Sequence, residues 1–403
     1  MRKPVLTIFY QYNPWQSTIG GIQSLINTFI KFAPDTFSIR LVGTGADNGQ
    51  VVGQWHESEL LGRPIQFFPL FTLLDDNVRK LVPTTVRYTA ALLSKTLQSD
   101  FMHFHRIEPT LAARGWLGDK TLFVHNDIPQ QMSSAKGAKT ILWQQFPQLY
   151  FWLERQLMEQ FDQVLSCNSA STKFYQQNYP SMVNRIMDVR NAVDTSCFKP
   201  LAPGPYQQAK QQLLDRLRLK PSTRLLLFAG RLHPQKDPLL LLRALAATPP
   251  ESDIHLLVAG DGDLKSEVEQ AIEQHNISSR VTLLGAVPKE EMVTLYQVSD
   301  VFVLSSRYEG LPIAMLESLA CGTPVVTTDC GQGPSLLTSE SGLVVSQREP
   351  QSLAQALVTV VDNPQRFTPE ACMQAVSPHS AQHVVEPIYN SMLQRWHVSQ
   401  ANS

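Results

Sequence analysis

Short apolar runs recur along the chain, separated by stretches in which hydrophobic positions follow helical spacing. In the first half they fall at residues 5–10 (VLTIFY), 37–42 (FSIRLV), 101–105 (FMHFH), 122–125 (LFVH) and 164–167 (VLSC), and in the second at 225–229 (LLLFA) and 300–304 (DVFVL). Several are apolar almost throughout, as in strands of a parallel sheet covered on both faces by helices. The alternation of strand and helix in both halves predicts an α/β chain with two doubly wound sheets. At 403 residues the chain also exceeds what one core usually supports. The expected domains are 1–200 and 201–380, hinged at 198–206, where four prolines or glycines gather. Residues 383–397, with Tyr389, Leu393 and Trp396, read as a closing helix.

Composition leaves this picture unchanged. Hydrophobic residues make up 43% and charged residues 17%, with a net charge of -1, which gives no support for a nucleic-acid partner. Five cysteines, without a C-x-x-C pair, argue for a reducing compartment and against a disulfide framework or zinc site. The N-terminal MRKPVLTIFYQYNPW turns polar at Gln11 and Asn13, so it reads as a first strand and not a signal peptide. No run has the length of a membrane span. The expected location is cytoplasmic, with peripheral contact at the inner face of a membrane left open. Residues 79–95 and 136–152 mix basic residues with apolar ones. Trp143, Phe146, Tyr150 and Trp152 suit a membrane interface or sugar stacking, but core packing is the expected role.

The chemistry concentrates in residues 305–329, SSRYEGLPIAMLESLACGTPVVTTD. Pro312 suits a first helical position, and Gly322 followed by Thr323 and Pro324 reads as the stop. Glu309 then lies in the loop before the helix and Glu317 inside it. The N–H groups of Gly310, Leu311 and Ile313 are expected to be free at a positive helix end. Glu317 can accept two vicinal hydroxyls, as a ribose presents, and Glu309 can address a group lying over the loop. The plainer alternative is two solvated glutamates beside a turn.

A second junction supports the sharper reading. Strand 225–229 leads into GRLHPQKDP, where Asp237 suits an N-cap and Pro238 the first helical position. Arg231 and Lys236 thus emerge between a strand end and a helix start, where open α/β sheets bind ligands. Two cations there suit a diphosphate that gathers charge as its bond to a sugar breaks. Gly20 and Gly21, which open the helix at 22–32, can admit close approach of a diphosphate or acceptor. Gly43 and Gly45 lack the third glycine of a dinucleotide fingerprint. Asp261 and Asp263 are expected to form a turn, with Asp263 as a helix cap, and no metal is expected.

With these residues in place, the chain resembles the retaining GT-B glycosyltransferases, specifically glycosyltransferase family 4. The resemblance rests on GRLHPQKDP at 230–238, LLVAGDGDLKSEVE at 256–269, RVTLLGAVPKEEMVTLYQVSDVFVLSS at 280–306, EGLPIAMLESLACGTPVV at 309–326 and NAVDTSCFKP at 191–200. It covers nearly all of 187–329, whereas the first half matches only at Gly20-Gly21 and around His125. It departs from many relatives after Gly331, where Gln332, Gly333 and Pro334 stand and a glutamate is common.

The resemblance implies two Rossmann-like domains facing across a cleft, with the final segment, about 381–403, crossing back onto the first. It implies that Arg231 and Lys236 hold a donor diphosphate, that Glu317 binds ribose, and that Glu309 with Gly310, Leu311, Pro312 and Ile313 faces the donor hexose. Val287 borders the nucleobase, Gly20 and Gly21 lie on the donor side, and His125 lies near the transferred sugar. A lone histidine at a strand end otherwise reads as packing. Candidate acceptor contacts are Trp15, His105, Arg106, Asn126 and Asp127. The implied activity is transfer of a hexosyl group from a UDP- or GDP-sugar to a hydroxyl of a saccharide or lipid-linked acceptor, without cofactor. Alternatives are a sugar-nucleotide epimerase, a phosphorolytic enzyme, or a catalytically silent binding subunit on the same fold.

Overall fold

A computed structural model describes residues 2–15, 21–45, 49–73, 82–125, 147–166 and 169–401. The first eight strands are β1 (Val5–Phe9), β2 (Ser38–Gly43), β3 (His56–Leu60), β4 (Arg63–Pro69), β5 (Phe101–Phe104), β6 (Asp119–Val124), β7 (Gln163–Ser166) and β8 (Ile186–Asp188). They form one sheet in the order β3-β4-β2-β1-β5-β6-β7-β8, parallel except for the β3–β4 pair. The remaining six are β9 (Arg224–Ala229), β10 (Ile254–Ala259), β11 (Val281–Gly285), β12 (Val301–Leu304), β13 (Val325–Thr328) and β14 (Gly342–Val345). Their order is β11-β10-β9-β12-β13-β14, parallel throughout.

Strand composition explains the second sheet. In β9, Leu226 and Phe228 point to one face, where they pack with the helix Pro238–Ala247. Leu225, Leu227 and Ala229 point to the other and pack with the helices Lys289–Val298 and Ile313–Ala320. Both faces are buried, so the strand reads as a continuous apolar run. Burying such a side chain contributes about 2 kcal/mol, enough to fix each helix to its face. The crossovers reverse direction between β9 and β12, and the loops leaving the carboxyl ends of these two strands flank that switch point. They are the loops that carry Arg231 and Lys236, and Glu309. In the first sheet the corresponding reversal lies between β1 and β5, beside His105.

The chain divides into two units, one made of the residues up to Asn191 with those from Gln382 onward, the other of Ala192–Ala381. The division lies before the 198–206 segment read as a hinge. Val193 bridges to Ser380, Phe198 enters the core of the second unit, and the helix Pro203–Arg216 begins inside that segment. The closing helix Ala381–Ala401 packs on the first unit, where the Tyr389 hydroxyl donates to the Phe29 carbonyl at 2.7 Å and Arg395 pairs with Asp119 at 2.6 Å. Among the described residues no helix is long and apolar enough to cross a membrane.

Candidate active site

The loop after β9 is fixed before it can hold a ligand. Asp237 adopts a left-handed conformation (φ 45°) and caps the helix Pro238–Ala247, its carboxylate accepting from the Leu240 N–H at 3.2 Å. Its other oxygen accepts from Arg348 at 2.9 Å and pairs with Arg307 at 3.1 Å. Ser305, fully buried at the end of β12, donates to the Lys236 and Asp237 carbonyls at 2.9 Å each. The loop is thereby pinned from its own helix, from β12 and from the segment after β14. The cap at Asp237 and the helix start at Pro238 match the sequence reading.

On this base the Lys236 ammonium reaches the Glu309 carboxylate at 2.5 Å. The same oxygen accepts from Ser306 at 2.7 Å. The Glu309 side chain is 9% exposed and that of Lys236 20%, so each largely desolvated charge is compensated by the other. The expectation was of separate ligand roles for the two residues, whereas here they pair directly. Arg231 is exposed and, among the described residues, makes no hydrogen bond or ion pair. An incoming diphosphate would meet one open cation and one held by a carboxylate. The loop after β13 closes on this pair. Gly331 (φ +67°) lies so close that a Cβ would sit 2.4 Å from the Glu309 carbonyl, and the Gln332 N–H donates to the Gly310 carbonyl at 2.9 Å.

Two helix starts differ from expectation. Pro312 is the N-cap and the helix begins at Ile313, because Pro312 is extended (ψ 125°) while its carbonyl already accepts from the Met315 N–H. Asp263 does not hold the N-cap position of the following helix. Leu264 occupies that position, and Asp261 turns back on the Gly262 N–H at 2.7 Å. The stop at Gly322 is as read: Gly322 (φ 80°) donates to Leu319 and Thr323 to Ser318, a Schellman pair.

Glu317 lies on the helix Ile313–Ala320, which follows the Glu309 loop. Its carboxylate accepts from the Tyr296 hydroxyl at 3.0 Å. Burial pushes its pKa up to about 7, against the opposing pull of the Tyr296 bond and of Lys289. Val287 is partly buried against the same core as Tyr296, just beyond Gly285 (φ 67°), whose carbonyl accepts from Gly260 at 2.7 Å. Sequence reasoning missed Tyr296, Ser306 and Arg348. The serines follow a strand into the loop and carry a weak signal, but Arg348 joins the site from 111 residues beyond Asp237 and has none.

In the first unit His105 and His125 stand at the carboxyl ends of the adjacent strands β5 and β6. His105 Nδ1 and His125 Nε2 lie 2.9 Å apart, with the rings stacked at 5.1 Å. Burial, helped by Arg106, pushes His125 down to about 3, and burial drives His105 well below its ordinary value. Both rings are neutral near pH 7, so one ring donates a hydrogen to the other. Arg106 is exposed and Gly21 opens the helix Gly21–Lys31. Trp15 is engaged by the hairpin, its ring edge-on to Phe67 at 4.9 Å and its indole donating to the Glu59 carbonyl at 3.3 Å. On the helix Pro147–Met158 Tyr150 is buried as expected, but Trp152 is 59% exposed, contrary to a core-facing role. Gly20, Asn126, Asp127, Trp143 and Phe146 lie outside the described residues.

Residues 210–375 match the family described as Glycosyl transferases group 1. The chain is 29% identical over 239 residues to a D-inositol 3-phosphate glycosyltransferase of Rhodococcus jostii (strain RHA1), covering 57% of this chain and 51% of that protein. It thus spans about half the length of these curated relatives. Among solved structures, sucrose-phosphate synthase from Thermosynechococcus elongatus superposes with a TM-score of 0.75 at 18% identity, covering 100% of both chains. Anabaena HepE in complex with UDP and glucose superposes at 0.67 and 17% identity, covering 98% of this chain and 100% of that one. The chain therefore has the GT-B fold, and its residues 210–375 are similar to the glycosyl transferases group 1 family.

Proposed function

We propose that the protein is a retaining glycosyltransferase that moves a hexosyl group from a UDP- or GDP-sugar to a hydroxyl of a saccharide or lipid-linked acceptor, in glycan or glycolipid biosynthesis. The observation that carries this reading is the Lys236–Glu309 pair beside the open Arg231, at the switch point of a parallel sheet. In the proposed reaction the bond from the anomeric carbon to the diphosphate breaks as one to the acceptor oxygen forms, and the acceptor proton leaves with the diphosphate. Negative charge grows on the diphosphate, and fixed cations there stabilise the transition state more than the ground state. Lys236 and Arg231 fill that role without a metal. Glu317 takes the ribose, the turn at Val287 borders the base, and Glu309 with Gly310, Leu311, Pro312 and Ile313 faces the hexose. His125, given to the transferred sugar by the resemblance, serves as a neutral hydrogen-bonding group.

The nucleotide in the HepE complex supports UDP as the first donor to try. Leu149 and Trp152, 52% and 59% exposed on one helix, support peripheral membrane contact and a lipid-linked acceptor. Free thiols at Cys197, Cys321, Cys330 and Cys372 support a cytoplasmic location. The direct test is substitution of the cations. Lys236→Ala and Arg231→Ala are each expected to lower transfer by on the order of 100-fold or more, with an unchanged circular dichroism spectrum. Near-native rates in both variants would remove the diphosphate assignment.

A further inference from the structure

We propose that Tyr296 is a positioning residue for nucleotide binding, acting through Glu317: its hydroxyl holds one carboxylate oxygen so that the charged carboxylate faces the ribose diol. This rests on the assignment of Glu317 to the ribose. Tyr296 lies on the helix Lys289–Val298, is 1% exposed, and has its ring edge-on to Phe302 at 5.5 Å and to Phe198 at 6.0 Å. Its backbone carbonyl accepts from the buried Thr323 hydroxyl, just past the end of the helix that carries Glu317. Ring, backbone and hydroxyl therefore have one arrangement, and the hydroxyl ends 3.0 Å from Glu317 Oε2.

A phenol in an apolar core loses a hydrogen bond to water and must recover one inside the protein. The carboxylate supplies the acceptor. In return it is held in one rotamer, with its second oxygen and remaining lone pairs open to donors. The other titratable or charged groups around it are Lys289, at the start of the Tyr296 helix, and Cys321, at the end of its own helix. Lys289 sits over the Phe198 ring at 5.6 Å and acts on Glu317 only through its field. Tyr296 alone of these makes a direct hydrogen bond to the carboxylate, and that bond favours the charged form against burial.

Calorimetric titration with UDP, GDP and ADP between pH 6 and pH 9 tests this. Tyr296→Phe is expected to weaken the best-bound nucleotide about tenfold at pH 7, the loss of one bond to a charged group. Affinity should recover towards pH 9, as Glu317 ionises later. In the Glu317→Gln background Tyr296→Phe should add no further loss, which a merely structural tyrosine would not show. The double variant also carries the test if the single one folds poorly. If Glu317→Gln itself leaves affinity unchanged, the ribose assignment fails and this inference with it. If Glu317→Gln weakens binding but Tyr296→Phe leaves both affinity and pH profile native, or weakens it equally in both backgrounds, the positioning role alone is overturned.

Discussion

At Glu317 the question is which protonation state meets a nucleotide. Burial raises the carboxyl from 4.5 to about 7, so between those values the native chain holds a proton that the unfolded chain has released. The stabilising share of this group is full below about pH 4.5 and is lost as the pH rises through about 7. Ribose hydroxyls donate and so favour the carboxylate. Binding should therefore release a proton, roughly half of one at pH 7, and affinity should rise from pH 6 to pH 8 before it levels. Titrations in two buffers of different ionisation heat measure this directly. Binding without proton release, or an unchanged pH profile in Glu317→Gln, would separate the carboxylate from the ligand. The acid itself was legible in the sequence because it follows Glu309 at a fixed spacing behind a helix start. Tyr296 was not, because a tyrosine among apolar residues has the pattern of core packing, and only the fold aims its hydroxyl. The same limit hid the Lys236–Glu309 pair, whose members lie 73 residues apart.

Among the elements, the loops after β12 and β13 depend on close backbone approach. Gly331 has φ +67°, and a Cβ there would lie 2.4 Å from the Glu309 carbonyl and 2.5 Å from that of Gly310. Gly331→Ala is expected to cost about 2 kcal/mol or more, from left-handed strain and the clash. A urea denaturation midpoint lowered accordingly would confirm this, and an unchanged one would mean that the two loops do not meet. Apolar runs such as 225–229 and 300–304 gave their strands within a residue or so, because burial on both faces leaves no polar position to blur them. The β3–β4 hairpin was not read. Its turn places Leu61 (φ 55°) and Gly62 (φ 73°) in the left-handed region, without the Asn-Gly or Asp-Gly pair that usually marks such a turn. β3 is also an edge strand, half exposed and polar in HESEL. Asp263 misled for a related reason: an aspartate near a helix start resembles a cap, and only the turn at Asp261 moves the start beyond it.

For the whole molecule, the strand–helix alternation indicated the α/β class and two doubly wound sheets, and the family resemblance implied the GT-B architecture, which the structural relatives share at TM-scores of 0.75 and 0.67. The first unit was less legible. Its sheet faces are filled by rings such as Phe29, His103 and Phe123, packed within 5.3 Å of one another, and such packing resembles that of an ordinary core. The central claim concerns the donor site, and it is tested most directly by calorimetric titration, in EDTA, of the native protein, Glu309→Gln and Glu317→Gln with a nucleoside diphosphate and its intact sugar donor. The expected result is that native binding persists in chelator and that Glu317→Gln weakens both ligands alike. Glu309→Gln should leave the free diphosphate as tight or tighter, since Lys236 is released to it, while weakening the intact donor. Equal losses for both ligands in both variants, or binding that requires a restored divalent cation, would contradict it.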